Sequence, residues 1–230
     1  MALIVHIETA TKICSVALSQ DTKIIAIRES NILNSHSSLI TNFVDEVFKE
    51  TGKSLKELDA VSVSMGPGSY TGLRIGVSTA KGLCYSLEKP LIAVSTLKAM
   101  ANGFVNIGNY TPSLFCPMID ARRMEVYCGF FDNLLNTIIP VSAEIIDENS
   151  FADLLSNNSI YFFGDGAEKC KSALSNNKNI FFDGDFNTSS KYLISLAEEK
   201  FRKKEFENIA YFEPFYLKDF LAGKPKVKGL

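Results

Sequence analysis

Val61-Ser62-Val63-Ser64-Met65-Gly66-Pro67-Gly68-Ser69-Tyr70-Thr71-Gly72-Leu73-Arg74-Ile75-Gly76 reads as a strand, a tight turn and the start of a helix. Val61 and Val63 alternate with serines, the period-2 pattern of a strand with one covered face. Gly66-Pro67-Gly68 ends that strand, because proline fixes φ and glycine permits backbone shapes that other residues resist. Ser69 or Thr71 can cap the helix, which the spacing predicts from about Thr71 to Leu87, short of Pro90. Along it Gly72, Gly76, Ala80 and Cys84 recur every fourth residue and stack on one face, flanked by Leu73, Val77 and Leu83. Glycine inside a helix costs about 0.5–1 kcal/mol relative to alanine, so close approach of another backbone is expected along this row. That backbone can belong to the chain's own sheet or to a second molecule.

Outward from this unit, residues 2–8, 13–20 and 23–30 are β-rich and joined by short connections, which implies an antiparallel meander. Ser35 can cap a helix from about His36 to Glu50. Its Leu39, Ile40, Phe43, Val44, Val47 and Phe48 form a broad apolar face, and Gly52 is placed to end it. Strand 60–65 and the glycine-rich helix follow, then strand 91–94 and a helix from Ser95 to about Asn102. The loose stretch Asn102–Pro112 marks a hinge or boundary. Beyond it the grammar restarts: strands at 113–120, 124–131 and 137–146, a helix at 148–156, a strand at 159–163, a helix at 166–175, a strand at 179–182 and a helix at 189–204. A duplicated meander followed by crossovers implies an α/β protein of two related subdomains facing a cleft. Each has a mixed sheet flanked by helices, over residues 1–104 and 105–230. The tail from Lys218 to Leu230 sets Lys218, Lys224, Lys226 and Lys228 against Asp219, and reads as a solvated terminus before a phosphate contact.

The chain has 230 residues, 46% of them apolar, and a net charge of -2. That suffices for a sizeable core and argues against a generally basic nucleic-acid binder. No apolar run approaches the ~20 residues that span a bilayer, and the N-terminus lacks the marks of a signal peptide. A cytoplasmic protein without membrane contact is expected. Cys14, Cys84, Cys116, Cys128 and Cys170 are scattered with no C-x-x-C pair, as reduced core cysteines are. Cys116 and Cys128 can face each other across a hairpin, with no bond expected. A phosphate loop counted from Gly66 finds Thr71 and Gly72 where Gly-Lys should stand, and the dinucleotide fingerprint fails at Thr71. The two histidines, His6 and His36, make no H-x-x-x-H pair, since Ile40 follows His36 by four. Neither a metal site nor a Ser-His-acid triad is expected, and His6 reads as a satisfied sheet residue. Glu8 and Asp120 end matching strands of the two halves, where a two-lobed nucleotide fold would flank Mg²⁺ and phosphate. That cradle wants a glycine after each acid, yet the turns hold Ala10 and Arg122. Asp165, Asp183 and Asp185 read as turn formers first.

Glu8-Thr9-Ala10-Thr11, His36-Ser37, Gly66 to Gly76, Thr79-Ala80-Lys81-Gly82, Val94-Ser95 and Ile119-Asp120-Ala121-Arg122 together resemble the family of the tRNA threonylcarbamoyladenosine biosynthesis protein TsaB. The likeness runs from Leu3 to Phe215-Tyr216-Leu217-Lys218; Glu8 stands where the family often has Asp, and Tyr70 where Phe is common. It implies an actin/sugar-kinase/chaperone-ATPase-like fold and a scaffold role, without catalysis of its own, in forming threonylcarbamoyladenosine on tRNA. The implied partners are a metal-containing catalytic subunit, TsaD, a small ATPase, TsaE, and a second copy of the chain in isolation, with tRNA met indirectly or weakly. No cofactor is implied for the chain alone, and ADP or ATP only for the assembled complex. The family's contact through N-terminal helices maps here onto His36, Ile40, Phe43, Tyr70, Gly72, Leu73, Gly76, Val77, Ala80 and Leu83. It gives the small-residue row an outside partner, and Glu8, Thr9, Asp120 and Arg122 become degenerate phosphate-site positions. An independent metallo-glycoprotease-like peptidase and a small-molecule ATPase or kinase are the alternatives.

Overall fold

The computed structural model describes residues 2–32, 36–106, 113–174 and 178–218. The expected cap Ser35, residues 107–112 of the loose stretch, and Asp219, Lys224, Lys226 and Lys228 of the tail lie outside the described residues.

Strands β1 (Leu3–Glu8), β2 (Cys14–Gln20) and β3 (Lys23–Ser30) form the expected meander. Helix α1 (His36–Thr51) stops at Gly52, whose φ of +65° suits a residue without a Cβ. Strand β4 (Ala60–Gly66) joins β1 in parallel, α2 (Tyr70–Leu87) crosses back, and β5 (Leu91–Ser95) adds beyond β4. Ser69, not Thr71, caps α2, accepting the N–H of Gly72 at 3.3 Å. The resulting order is β3-β2-β1-β4-β5.

After α3 (Thr96–Val105), the second half repeats the plan with β6 (Leu114–Asp120), β7 (Glu125–Phe131), β8 (Thr137–Ile145), α4 (Ala152–Asn157), β9 (Ile160–Phe163), α5 (Ala167–Leu174), β10 (Ile180–Asp183) and α6 (Ile194–Lys203). Read from its meander edge, this sheet runs β8-β7-β6-β9-β10, the same order as the first. All five cysteines are free and buried.

Both faces of the first sheet are covered. On one, Val5, Ile7, Val61 and Val63 pack with Ile40, Phe43, Val47, Val77 and Ala80 of α1 and α2. On the other, Ile4, Ala60 and Ile92 meet Leu193 and Ala197 around the start of α6. The alternation in β4 therefore does not mark an open face: Ser62 and Ser64 are fully buried, corrected from the one-sided strand expected. His6 is only half satisfied. Its Nε2 lies 2.8 Å from Ser19 Oγ, but among the described residues Nδ1 has no partner, nor does Ser62 Oγ. Burial pulls the His6 imidazole down to about 3, so the ring is neutral.

The two halves exchange their last helices. From the first half, α3 lays Leu97, Met100 and Phe104 against Phe115, Ile119 and Phe163 of the second sheet, with the Phe104 and Phe163 rings stacked 4.0 Å apart. From the second half, α6 returns to the first sheet, where Lys200 Nζ donates to Ala93 O at 2.8 Å. The lobes are thus held by two crossing helices.

Candidate functional site

The row of small residues on α2 faces inward. A methyl group at Gly72 would overlap the carbonyl oxygen of Thr9, one at Gly76 would overlap Thr9 Oγ1, and one at Gly68 would overlap Ala10 O. Thr9 Oγ1 donates to Gly72 O at 2.8 Å, and Ser69 N donates to Ala10 O at 2.6 Å. The backbone that approaches the row is therefore the chain's own β1–β2 turn. Gly72, Leu73, Gly76, Val77 and Ala80 are all buried, as are Ile40, Phe43 and His36 on α1. His36 Nε2 lies 3.0 Å from Thr11 O and 3.2 Å from Ile13 O, two acceptors, so this nitrogen carries the proton and ties α1 to the same turn. As a groove open to a second molecule, the row is corrected: β1 has to turn against α2, and only missing side chains admit the turn.

What α1 and α2 offer outward is a different surface. A groove of about 470 Å³ runs between them, floored by Val44, Phe48 and Leu83 and rimmed by Thr79, Leu55 and Lys53. Of the residues mapped for a contact, Tyr70 and Leu83 stay partly exposed. Sequence reasoning placed Phe48 on the apolar face of α1 but not in this groove, and missed Leu55 and Thr79. Leu55 sits in a short 3-10 turn (Leu55–Glu57) that a capping box of Ser54 and Glu57 announces.

The two turns at the strand ends close on themselves in the same way. Ala10 N donates to Glu8 Oε1 at 2.6 Å, and Arg122 N donates to Asp120 Oδ1 at 2.8 Å. Each strand-end acid thus accepts the N–H two residues on, the group a phosphate would want. Glu8 is fully buried and also accepts from Ser64 Oγ at 2.9 Å. Burial pushes its carboxyl up to about 7, held back by the N–H of Ala10 and the hydroxyl of Ser64. Asp120 pairs with the Lys169 ammonium, which also donates to Arg123 O at 2.7 Å and Glu125 O at 2.6 Å. Asp165 receives the N–H of Asp120 at 3.1 Å, and its carboxyl is raised, chiefly by burial. Among the described residues, no three His, Cys, Asp or Glu side chains gather as metal ligands.

Residues 205–218 form a strap that periodicity could not reveal. Glu207 N donates to Leu91 O at 2.9 Å on the open edge of β5. Lys81 Nζ donates to Phe212 O at 2.9 Å, and Phe215 N to Met65 O at 2.7 Å. The Tyr216 and Tyr70 rings lie 5.0 Å apart, and the Arg74 guanidinium stands 4.2 Å over Tyr70. The strap ends where Lys218 pairs with Glu125 of the other lobe.

Two five-stranded sheets of one order, each with a first turn closed on its strand-end acid, define a two-lobed protein of the actin/sugar-kinase/chaperone-ATPase-like class. A solved structure from Pseudomonas aeruginosa, described as an uncharacterized protein with similarity to peptidase YEAZ, has this fold with a TM-score of 0.83 at 23% identity, over 95% of this chain and 100% of that one. Another, described as YeaZ from Pseudomonas aeruginosa, superposes with a TM-score of 0.80 at 23% identity, over 94% of this chain and 100% of that one. The family model described as TsaD: tRNA N6-adenosine threonylcarbamoyltransferase matches residues 30–226. The tRNA threonylcarbamoyladenosine biosynthesis protein TsaB of Escherichia coli is 41% identical over 54% of this chain and 52% of its own length. That of Bacillus subtilis is 34% identical over 60% of this chain and 59% of its own, and that of Haemophilus influenzae 26% identical over 95% and 94%. The chain spans about half the length of the first two relatives in these alignments. The chain belongs to the family of that model.

Proposed function

We propose that this chain is a scaffold subunit, without catalysis of its own, of the cytoplasmic machinery that forms threonylcarbamoyladenosine on tRNA. In this reading it holds a TsaD-like catalytic subunit on the outer face of α1 and α2. The observation that carries the reading is the groove between these helices, with an apolar floor of Val44, Phe48 and Leu83 and a polar rim. Such a floor inside such a rim is the anatomy of a docking surface. The family's names supply the process and the partner. Self-closure of the β1–β2 and β6–β7 turns supports the absence of catalysis, since their N–H groups already serve Glu8 and Asp120. A TsaE-like ATPase joins the assembled pair, a second copy takes the same face when the partner is missing, and ADP or ATP is held only in the complex.

Leu55→Glu together with Thr79→Arg tests the contact, because both positions are reachable from outside. Size-exclusion chromatography of this variant with purified TsaD-like subunit should show separate peaks where the natural chain co-elutes. Intact co-elution would move the interface elsewhere. The kinase or ATPase reading has its own test: tight Mg²⁺-dependent nucleotide binding by the isolated chain would favour it over the scaffold.

A further inference from the structure

We propose that the β6–β7 turn, together with Lys12 of the β1–β2 turn, is a binding site for the phosphate groups of an RNA backbone. Arg122 and Arg123 are consecutive and both left-handed, at φ 69° and 50°. Side chains resist that conformation, and an Asn-Gly pair would adopt it freely. Both arginines are exposed, as is Lys12.

Local charge is segregated around them. The Asp120 carboxylate is taken by Lys169, and Glu125 by Lys218. Asp165, an acid within electrostatic reach of Lys12, is partly buried and accepts the Asp120 N–H. Among the described residues no ion pair engages Lys12, Arg122 or Arg123. Three exposed cations therefore stand on these two turns of a chain whose net charge is -2, with Lys12 in electrostatic reach of the Asp165 that holds the Asp120 N–H, an arrangement that steers polyanions.

The turn N–H groups are spent internally, so an anion here must be held by side chains, and guanidinium groups grip phosphate through paired N–H donors. The hydroxyls beside the β1–β2 turn are paired as well, Thr11 Oγ1 2.7 Å from Thr188 Oγ1 and Ser15 Oγ 2.6 Å from Ser190 Oγ, so an anion here is met by the exposed cations. Cations on two separate turns suit a chain of phosphates better than a single one. This inference rests on the reading of the chain as part of a tRNA-modifying machinery, and gives the side chains at Arg122 and Arg123 a use in place of the lost cradle.

Fluorescence anisotropy of the full chain with a labelled, unmodified tRNA transcript, between about 50 and 200 mM salt, tests it. Arg122→Glu with Arg123→Glu should weaken binding at least about tenfold and lower the salt slope by roughly two. Arg122→Asn with Arg123→Gly should lose the same affinity while melting higher than the natural chain, because the strain is gone. Lys23→Glu with Lys178→Glu, exposed at the strand ends away from both turns, should bind RNA as the natural chain does. No RNA binding by the natural chain at about 50 mM salt, or equal binding by the turn variants, would overturn the proposal. So would Mg·ATP binding that vanishes in the turn variants while RNA binding persists. Co-elution with the TsaD-like subunit, measured in parallel, separates the two ideas: a chain that docks normally but ignores RNA refutes this site alone.

Discussion

Thr9 is where three parts of the first lobe meet: its hydroxyl holds the Gly72 carbonyl and fills the space that a side chain at Gly76 would need. Two glycines of one helix should therefore respond oppositely to alanine. Gly76→Ala is expected to destabilise the monomer by about 1–3 kcal/mol, since inserting a methyl into a packed site forces shifts. Gly82→Ala, with open space around it, should stabilise by about 0.5–1 kcal/mol through helix propensity. Thermal denaturation of the pair decides, and a neutral Gly76→Ala would show that the turn can move away. Glu8 gives a pH signature. Its native carboxyl is raised to about 7 from 4.5, so the protonated form favours the fold. Its contribution falls as pH rises from about 4.5 to 7 and is flat above, a loss on the order of 3 kcal/mol. Glu8→Gln should thus be more stable than the natural chain at pH 8 and converge with it near pH 4.5. His6 acts in the other direction, as a ring kept neutral costs stability when pH falls below 6.5. Comparing variant with natural chain at each pH isolates Glu8.

At the scale of elements, α2 shows what a spacing rule can and cannot tell. A repeat of four places Gly72, Gly76, Ala80 and Cys84 on one face and requires a close neighbour, and both were legible in the sequence. Which backbone comes close was not. The neighbour, Thr9, is 63 residues away from Gly72, and no local pattern encodes that contact. The same limit hid the inner cover of Ser62 and Ser64, because α6 arrives from the far end of the chain. Conversely, the absence of glycine at Ala10 and Arg122 was visible in the sequence alone, and each of these N–H groups serves its own strand-end acid. The docking face on this account belongs to the outer sides of α1 and α2. Leu55→Glu with Thr79→Arg should raise the dissociation constant for the TsaD-like subunit at least about tenfold, or 1.4 kcal/mol. Isothermal titration measures it, and the melting temperature of the variant should stay within a few degrees of the natural chain's.

For the whole molecule, the duplicated order of strands was legible because each half writes its meander and crossovers in alternating short elements. The exchange of α3 and α6 between lobes was not, since amphipathic helices do not name the sheet they will cover. Nor was the strap, which has no period and is held by the backbone carbonyls of Leu91 and Met65 and the side-chain ammonium of Lys81. With three such anchors at about 1 kcal/mol each, a chain ended at Lys204 should lose roughly 3 kcal/mol relative to one ended at Lys218. Lys218→Ala alone should cost under about 1 kcal/mol, because its pair with Glu125 is partly solvated. Urea denaturation of the three chains checks both figures. The central claim, that the groove between α1 and α2 receives the catalytic subunit, is met most directly by hydrogen–deuterium exchange of the chain with and without purified TsaD-like subunit. New protection is expected in residues 41–55 and 79–86, and none at the buried Gly72, Leu73, Gly76 and Val77. Protection confined to the second lobe, with 41–55 and 79–86 exchanging as in the free chain, would contradict it.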